Sequence, residues 1–151
     1  MTAAEIFTNL KSTLSDNKTL SKYIKFVYSG RRFDIDAQGL PCIMLEPTQD
    51  GEPQRRMNNI DDVYFNVDLF AFSTANYNDL DKTIVGDDDY KGILDINNDI
   101  RACLNSSYSL GGTVIDIRPD PSIFDQLDLG KYPVRGLLMP LKILYRQERT
   151  T

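Results

Sequence analysis

The chain has 151 residues, 41% of them hydrophobic and 26% charged, and a net charge of −5 from 17 Lys and Arg against 22 Asp and Glu. This predicts one globular domain, 1–151, large enough to bury a core without staples, and the acidic excess argues against a general nucleic-acid binder. Histidine is absent, which removes the commonest general base and metal ligand. No apolar run approaches the ~20 residues of a membrane helix, and the first residues lack the basic and apolar regions of a secretory signal.

Thr2-Ala-Ala-Glu5 has the spacing of a capping box, with Thr2 as N-cap. Ile6, Phe7, Leu10 and Leu14 then form one helical stripe, and Ser15-Asp-Asn17 ends it. Residues 23–28 are expected as the first strand, closed by Ser29-Gly30. Residues 31–39 are expected as a connection, in which Phe33 and Ile35 alternate as the extension of a hairpin would. Residues 40–46 form the second expected strand, with Pro41 at its start, where proline is tolerated, and Pro47 after it. Residues 48–62, polar and without periodicity, read as a loop of a length that is often functional. Residues 63–72 form the third strand, with Val63, Phe65, Val67, Leu69 and Ala71 on one face and Tyr64, Asn66, Asp68, Phe70 and Phe72 on the other.

Residues 73–86 are irregular, with weak helical character at Leu80 and Ile84. Asp87-Asp-Asp89 precedes a helix over 91–104, where acidic charge suits the positive end. Ile93, Ile96, Ile100, Cys103 and Leu104 share one of its faces. After a Gly111-Gly112 turn, residues 113–117 form the fourth strand, stopped by Pro119 and Pro121, and residues 122–133 form a connection. The last strand covers 134–146, with Leu137, Met139, Leu141, Ile143 and Tyr145 on one face and Leu138 and Leu144 on the other. Pro140 removes a ladder donor from its middle, so this strand is expected at an edge or with a bulge. The order helix, three strands, helix, two strands predicts an α+β fold. Its sheet is mostly antiparallel, of about four to five strands packed by two main helices.

No catalytic, cofactor or metal constellation emerges. Asp87-Asp-Asp89 lacks the alternating spacing of a calcium loop. Nothing brings Asp68 and Asp116 together as a carboxylate pair, and Gly111-Gly112 lacks the spacing and lysine of a phosphate loop. Cys42 and Cys103 sit in apolar patterns and are expected as buried, reduced thiols. The sequons at Asn17 and Asn105 read as chance matches. Partner contact is expected instead from Gly51, Arg55, Arg56 and Met57, at the centre of the long polar loop. The final strand, through Arg135 and Pro140, is a candidate interface, because an edge invites a partner. Tyr64, Phe70 and Phe72 form either an exposed aromatic patch or core, and core is favoured.

Several short patterns recur together: an apolar first helix, a strand ending in Gly30, Leu40-Pro41-x-Ile43 ending in Glu46-Pro47, and long elements at 63–72 and 91–104. To these are added Gly112-x-Val114-x-x-Ile117 and Arg135-x-Leu-x-Met-x-Leu-x-Ile-x-Tyr145-Arg146. The set resembles the tail terminator (tail completion) proteins of long-tailed bacteriophages, of the lambda type, over nearly the whole chain. The resemblance implies a structural virion protein without enzymatic activity or cofactor. It would form a hexameric ring that caps the tail tube, ends tube polymerisation and meets the head–tail connector protein. DNA would pass through its pore without sequence-specific binding. The expected location is the virion tail, and the host cytoplasm during assembly. A connector (neck) protein or a tail tube subunit is the alternative reading. A small hydrolase or nucleotide-binding domain fits less well.

Overall fold

The computed structural model describes residues 2–32, 34–51, 54–57, 60–74, 80–129 and 132–148, with the backbone alone at 54–57, 80, 127–129 and 132–133. Phe33, which entered the sequence reading, lies outside the described residues.

Helix α1 spans Ala3–Asp16, and its start is the expected one: the Glu5 amide donates to the Thr2 hydroxyl at 3.2 Å. That bond satisfies one of the donors a helix leaves free at its N-terminus. Ile6, Leu10 and Leu14 are buried. Asn17 ends the helix and begins the next turn, because its Oδ1 accepts from the amides of Thr19 and Leu20, both at 3.0 Å. The 3₁₀ turn Leu20–Lys22 that follows takes up the amides of Tyr23 and Ile24, which donate to the Leu20 carbonyl. The first strand is therefore shorter than expected: β1 covers Phe26–Ser29.

Strand β2 covers Cys42–Asp50 and runs parallel to β1, with Phe26 opposite Cys42. The connection expected at 31–39 is therefore a crossover, which contains the 3₁₀ turn Ala37–Gly39, and the alternation at Ile35 extends no hairpin. A parallel pair requires such a crossover. The expected loop at 48–62 is also corrected. β2 continues through Asp50, β3 (Gln54–Met57) follows, and the first three residues of β4 (Ile60–Phe72) lie inside the range. No periodicity marks this arm because residues 47–50 are exposed on both faces.

A short helix, α2, covers Leu80–Ile84, and α3 covers Ile93–Ser106 with Ile93, Ile96, Ile100, Cys103 and Leu104 buried as expected. The acidic triplet does not cap it. Gly92 is the N-cap, Asp95 supplies the first-turn acid, and Asp87 holds a preceding turn by accepting from the amides of Asp89 and Tyr90 at 2.9 and 2.8 Å. These two bonds, with Lys82 at 3.3 Å, hold the Asp87 carboxyl below its usual range.

Three strands complete the sheet: β5 (Asp116–Pro119), β6 (Ile123–Leu129) and β7 (Tyr132–Glu148). The expected connection at 122–133 instead contains β6, whose Leu129 stands opposite Tyr132 at the start of β7. The fold is α+β, with a seven-stranded sheet in the order β1-β2-β4-β7-β5, β3 beside β4 and β6 beside β7. Every pairing is antiparallel except β1 with β2. The helices cover one face, where the main core runs from Ile6, Leu10 and Ile96 to Leu69, Met139 and Ile143. On the other face the crossover covers a smaller cluster of Ile35, Leu40, Cys42, Met44, Phe72 and Val134.

Candidate assembly surfaces

Pro140 does not mark an edge. β7 lies inside the sheet, paired with β4 on one side and with β5 and β6 on the other. Along β7, backbone groups alternate in direction. The Arg135 carbonyl accepts from Ser73 at 2.8 Å beyond the end of β4, whereas those of Pro140 and Leu144 accept from Asp120 and Ile115, both at 2.8 Å, on the β5 side. The missing N–H of Pro140 therefore points at the gap between β5 and β6, where the ladder already breaks. Pro119 is opposite Leu141 and Ile123 opposite Leu138, so residues 120–122 face only 139 and 140. Arg101 of α3 closes this bulge, donating from Nη2 to the Asp120 carbonyl at 2.7 Å and to the Ser122 hydroxyl at 2.9 Å. The Ser122 hydroxyl in turn donates to Asn97 Oδ1 at 2.6 Å.

Arg135 is likewise tied in. It is half-buried, its amide donates to the Ser73 hydroxyl at 3.3 Å, and its Nε is buried without a hydrogen-bond partner among the described residues. Gly51 sits where the β2–β4 arm narrows. Its amide donates to the Tyr64 carbonyl, and a Cβ here would meet that oxygen at 2.5 Å, so only glycine fits without a shift. Arg55 and Met57 lie on β3, opposite Asp61 and Ile60, so these candidates and Arg56 belong to a strand and not to a loop. The side chains of Arg55, Arg56 and Met57 lie outside the described residues.

On the face away from the helices, Met44, Phe70, Leu138 and Ile123 form a row across four strands, and Glu46, Asp68 and Pro140 form the next. Phe72 is core, Phe70 is half-buried with the Arg31 guanidinium 4.7 Å from its ring centroid, and Tyr64 is exposed. Loss of solvent raises the Asp68 carboxyl above its ordinary value; Glu46 adds to this and Arg31 opposes it. Asp68 and Asp116 are not a pair: β7 separates them, with Asp68 opposite Pro140 and Asp116 opposite Leu144.

Both cysteines are buried and free. Burial pushes the Cys42 thiol up to about 12 and raises that of Cys103 as well. Two clefts are open to solvent. One of about 650 Å³ lies between Thr2, Ile115 and Arg146, and one of about 520 Å³ is lined by Lys22, Lys25, Lys91 and Tyr90. Among the described residues no group of three or more His, Cys, Asp or Glu is placed to hold a metal ion, and no helix is long and apolar enough to cross a membrane.

Sequence reading found the buried faces but missed the edges. β6 carries Ile123 and Phe124 exposed at 61% and 44%, and β1 carries Phe26 exposed at 52%. The only prior signal for these residues is apolar character in segments too short to show a period. In comparison with known proteins, the sequence matches no family model and no curated protein.

Proposed function

We propose that this chain is a structural subunit of a ring that caps the tail tube of a long-tailed bacteriophage, ends tube polymerisation and presents a surface to the head–tail connector. The observation that carries this reading is a sheet that, among the described residues, is open at both ends, at β1 and at β5–β6, with apolar side chains exposed on each edge. Two unlike open edges are what a heterologous interface needs, and such an interface closes into a ring when the rotation between copies divides a circle. The resemblance of element order and of the final strand to tail terminators supplies the rest. It points to six copies, to tube and connector proteins as partners, and to a pore that DNA crosses without sequence-specific contact. Catalysis and cofactors have no part in this role, and its place is the virion tail after assembly in the host cytoplasm.

The test is mass measurement across a concentration series, with electron microscopy of the assembled species. A closed ring of six that shortens tubes when added to polymerising tube protein is the expected result. Long cylinders formed by this chain alone would assign it to the tube, and a monomer that never binds tube ends would end the proposal.

A further inference from the structure

We infer that the two open edges are each other's partners: β1 of one copy adds to β6 of the next, a basic edge against an acidic one. This deepens the ring reading and rests on it.

The charge of the chain is segregated along the sheet. Residues 18–32, which contain β1, hold Lys18, Lys22, Lys25, Arg31 and Arg32 and no acidic residue. Residues 116–128, which contain β5 and most of β6, hold Asp116, Asp120, Asp125 and Asp128 against Arg118 alone. These segments occupy opposite ends of the strand order. Opposite patches steer encounter and set register, and like edges repel, so the arrangement favours head-to-tail contact over pairing of two identical edges.

The backbones also match. The Gly30 amide points inward to the Leu45 carbonyl at 2.7 Å, so by alternation Phe26 and Tyr28 face β2 while Val27 and Ser29 turn their N–H and C=O groups to the open side. On β6, Ile123 and Asp125 stand opposite Leu138 and Gly136, even-numbered residues of the kind that turn their backbone groups toward β6, so Phe124 and Gln126 face outward. Two outward residues thus meet two. β6 runs opposite to β1 through the intervening pairings, so a neighbour rotated about an axis along the strands pairs in the antiparallel sense. Phe26 and Ile123 then share the face away from the helices, with lysines on one side of the seam and aspartates on the other. Pro119 and Pro121 bar the β5 end of the same edge from pairing, which leaves β6 as the acceptor.

The test uses two charge-reversed full chains, Lys22→Glu with Lys25→Glu, and Asp120→Lys with Asp125→Lys. Each alone should raise the concentration for half-assembly at least tenfold while keeping the wild-type melting curve. An equimolar mixture should assemble again, because each reversed edge then meets a complementary one. The mixture also decides the case if a variant melts early, since one misfolded chain does not rescue another. Rings that form normally from either variant overturn the seam and leave the ring reading standing, as does a mixture that stays apart. A wild-type chain that is monomeric at every concentration overturns both.

Discussion

The Asp120 amide donates to the Pro140 carbonyl at 2.8 Å, across the one place where the β5–β6 side of β7 loses its ladder. The proline thus sits where a backbone donor has nothing to reach. Pro140→Ala adds an N–H facing the bulge and frees the unfolded chain. The expected cost is about 0.4–1 kcal/mol, read as a lower denaturation midpoint with an unchanged m-value. A variant as stable as wild type would show that the proline contributes no rigidity.

Arg101 is the other half of that junction. Arg101→Ala removes the donors to the Asp120 carbonyl and the Ser122 hydroxyl. Charge-assisted bonds of this kind are worth about 2 kcal/mol together after solvent exchange, which for a domain of this size lowers Tm by about 4–8 °C. Amide exchange at residues 120–126 should accelerate more than exchange in α1. Uniform acceleration would mean that Arg101 holds the helix and not the bulge.

At Tyr145, burial first and then Asp50, whose Oδ1 accepts the phenol at 3.1 Å, push the phenol up to about 12 from 10.0. The unfolded chain therefore releases this proton first. Its contribution is whole below pH 10 and is lost as pH rises from there through 12. Tyr145→Phe loses one hydrogen bond at neutral pH, about 1 kcal/mol, yet its stability should fall less steeply above pH 10. Tyr23 and Tyr28, also raised by burial, keep part of the slope in both proteins. Parallel curves would show that Tyr145 ionises alike in both states.

Cys42 and Cys103 should resist a thiol reagent in the folded chain, reacting about a hundredfold or more slower than after unfolding, because the thiolate is the reactive species and burial opposes it. Absorbance at neutral pH with and without denaturant reads this directly. Prompt reaction of one thiol under native conditions would locate an opening of the structure next to it.

Gly51→Ala places a Cβ against the Tyr64 carbonyl. Relief requires a backbone shift, at about 1–3 kcal/mol, confined to the arm. The expected signature is faster amide exchange at 60–66 and an unchanged core. If the ring proposal holds and the arm touches the tube, capping weakens while ring formation persists.

Legibility in the sequence followed burial. α1, α3, β4 and the body of β7 were readable because each buries one face, so Ile6 to Leu14, Ile93 to Leu104 and Val63 to Ala71 carry their periods in plain view. β3 and β6 escaped. No helix lies over the arm at 47–50, and Ile123, Phe124, Asp125 and Gln126 are exposed on both faces, so no alternation was selected. Pro140 misled for a different reason. The chain states that a donor is missing but not which side of the strand it is missing from, and that depends on pairing with residues twenty positions away. The candidate contacts shared this limit: Gly51 was found as a loop glycine, whereas its role is a close approach to Tyr64. The residues of the proposed seam, such as Val27 and Phe124, lie at edges that only the strand order defines.

The place of β7 in the sheet also sets an order of events. β4, β5 and β6 are all made before the strand at 132–148 that pairs with each of them. During synthesis β6 has no support, and its acidic outer edge does not exist as an edge. Long-range pairing of this kind is slow and leaves strands open to wrong partners. If the seam proposal holds, the delay is protective. Under the proposed seam, a nascent chain displays β1 and its lysines early, but the surface that would accept a neighbour's β1 forms only once its own central strand is in place, so self-association would wait on a finished subunit.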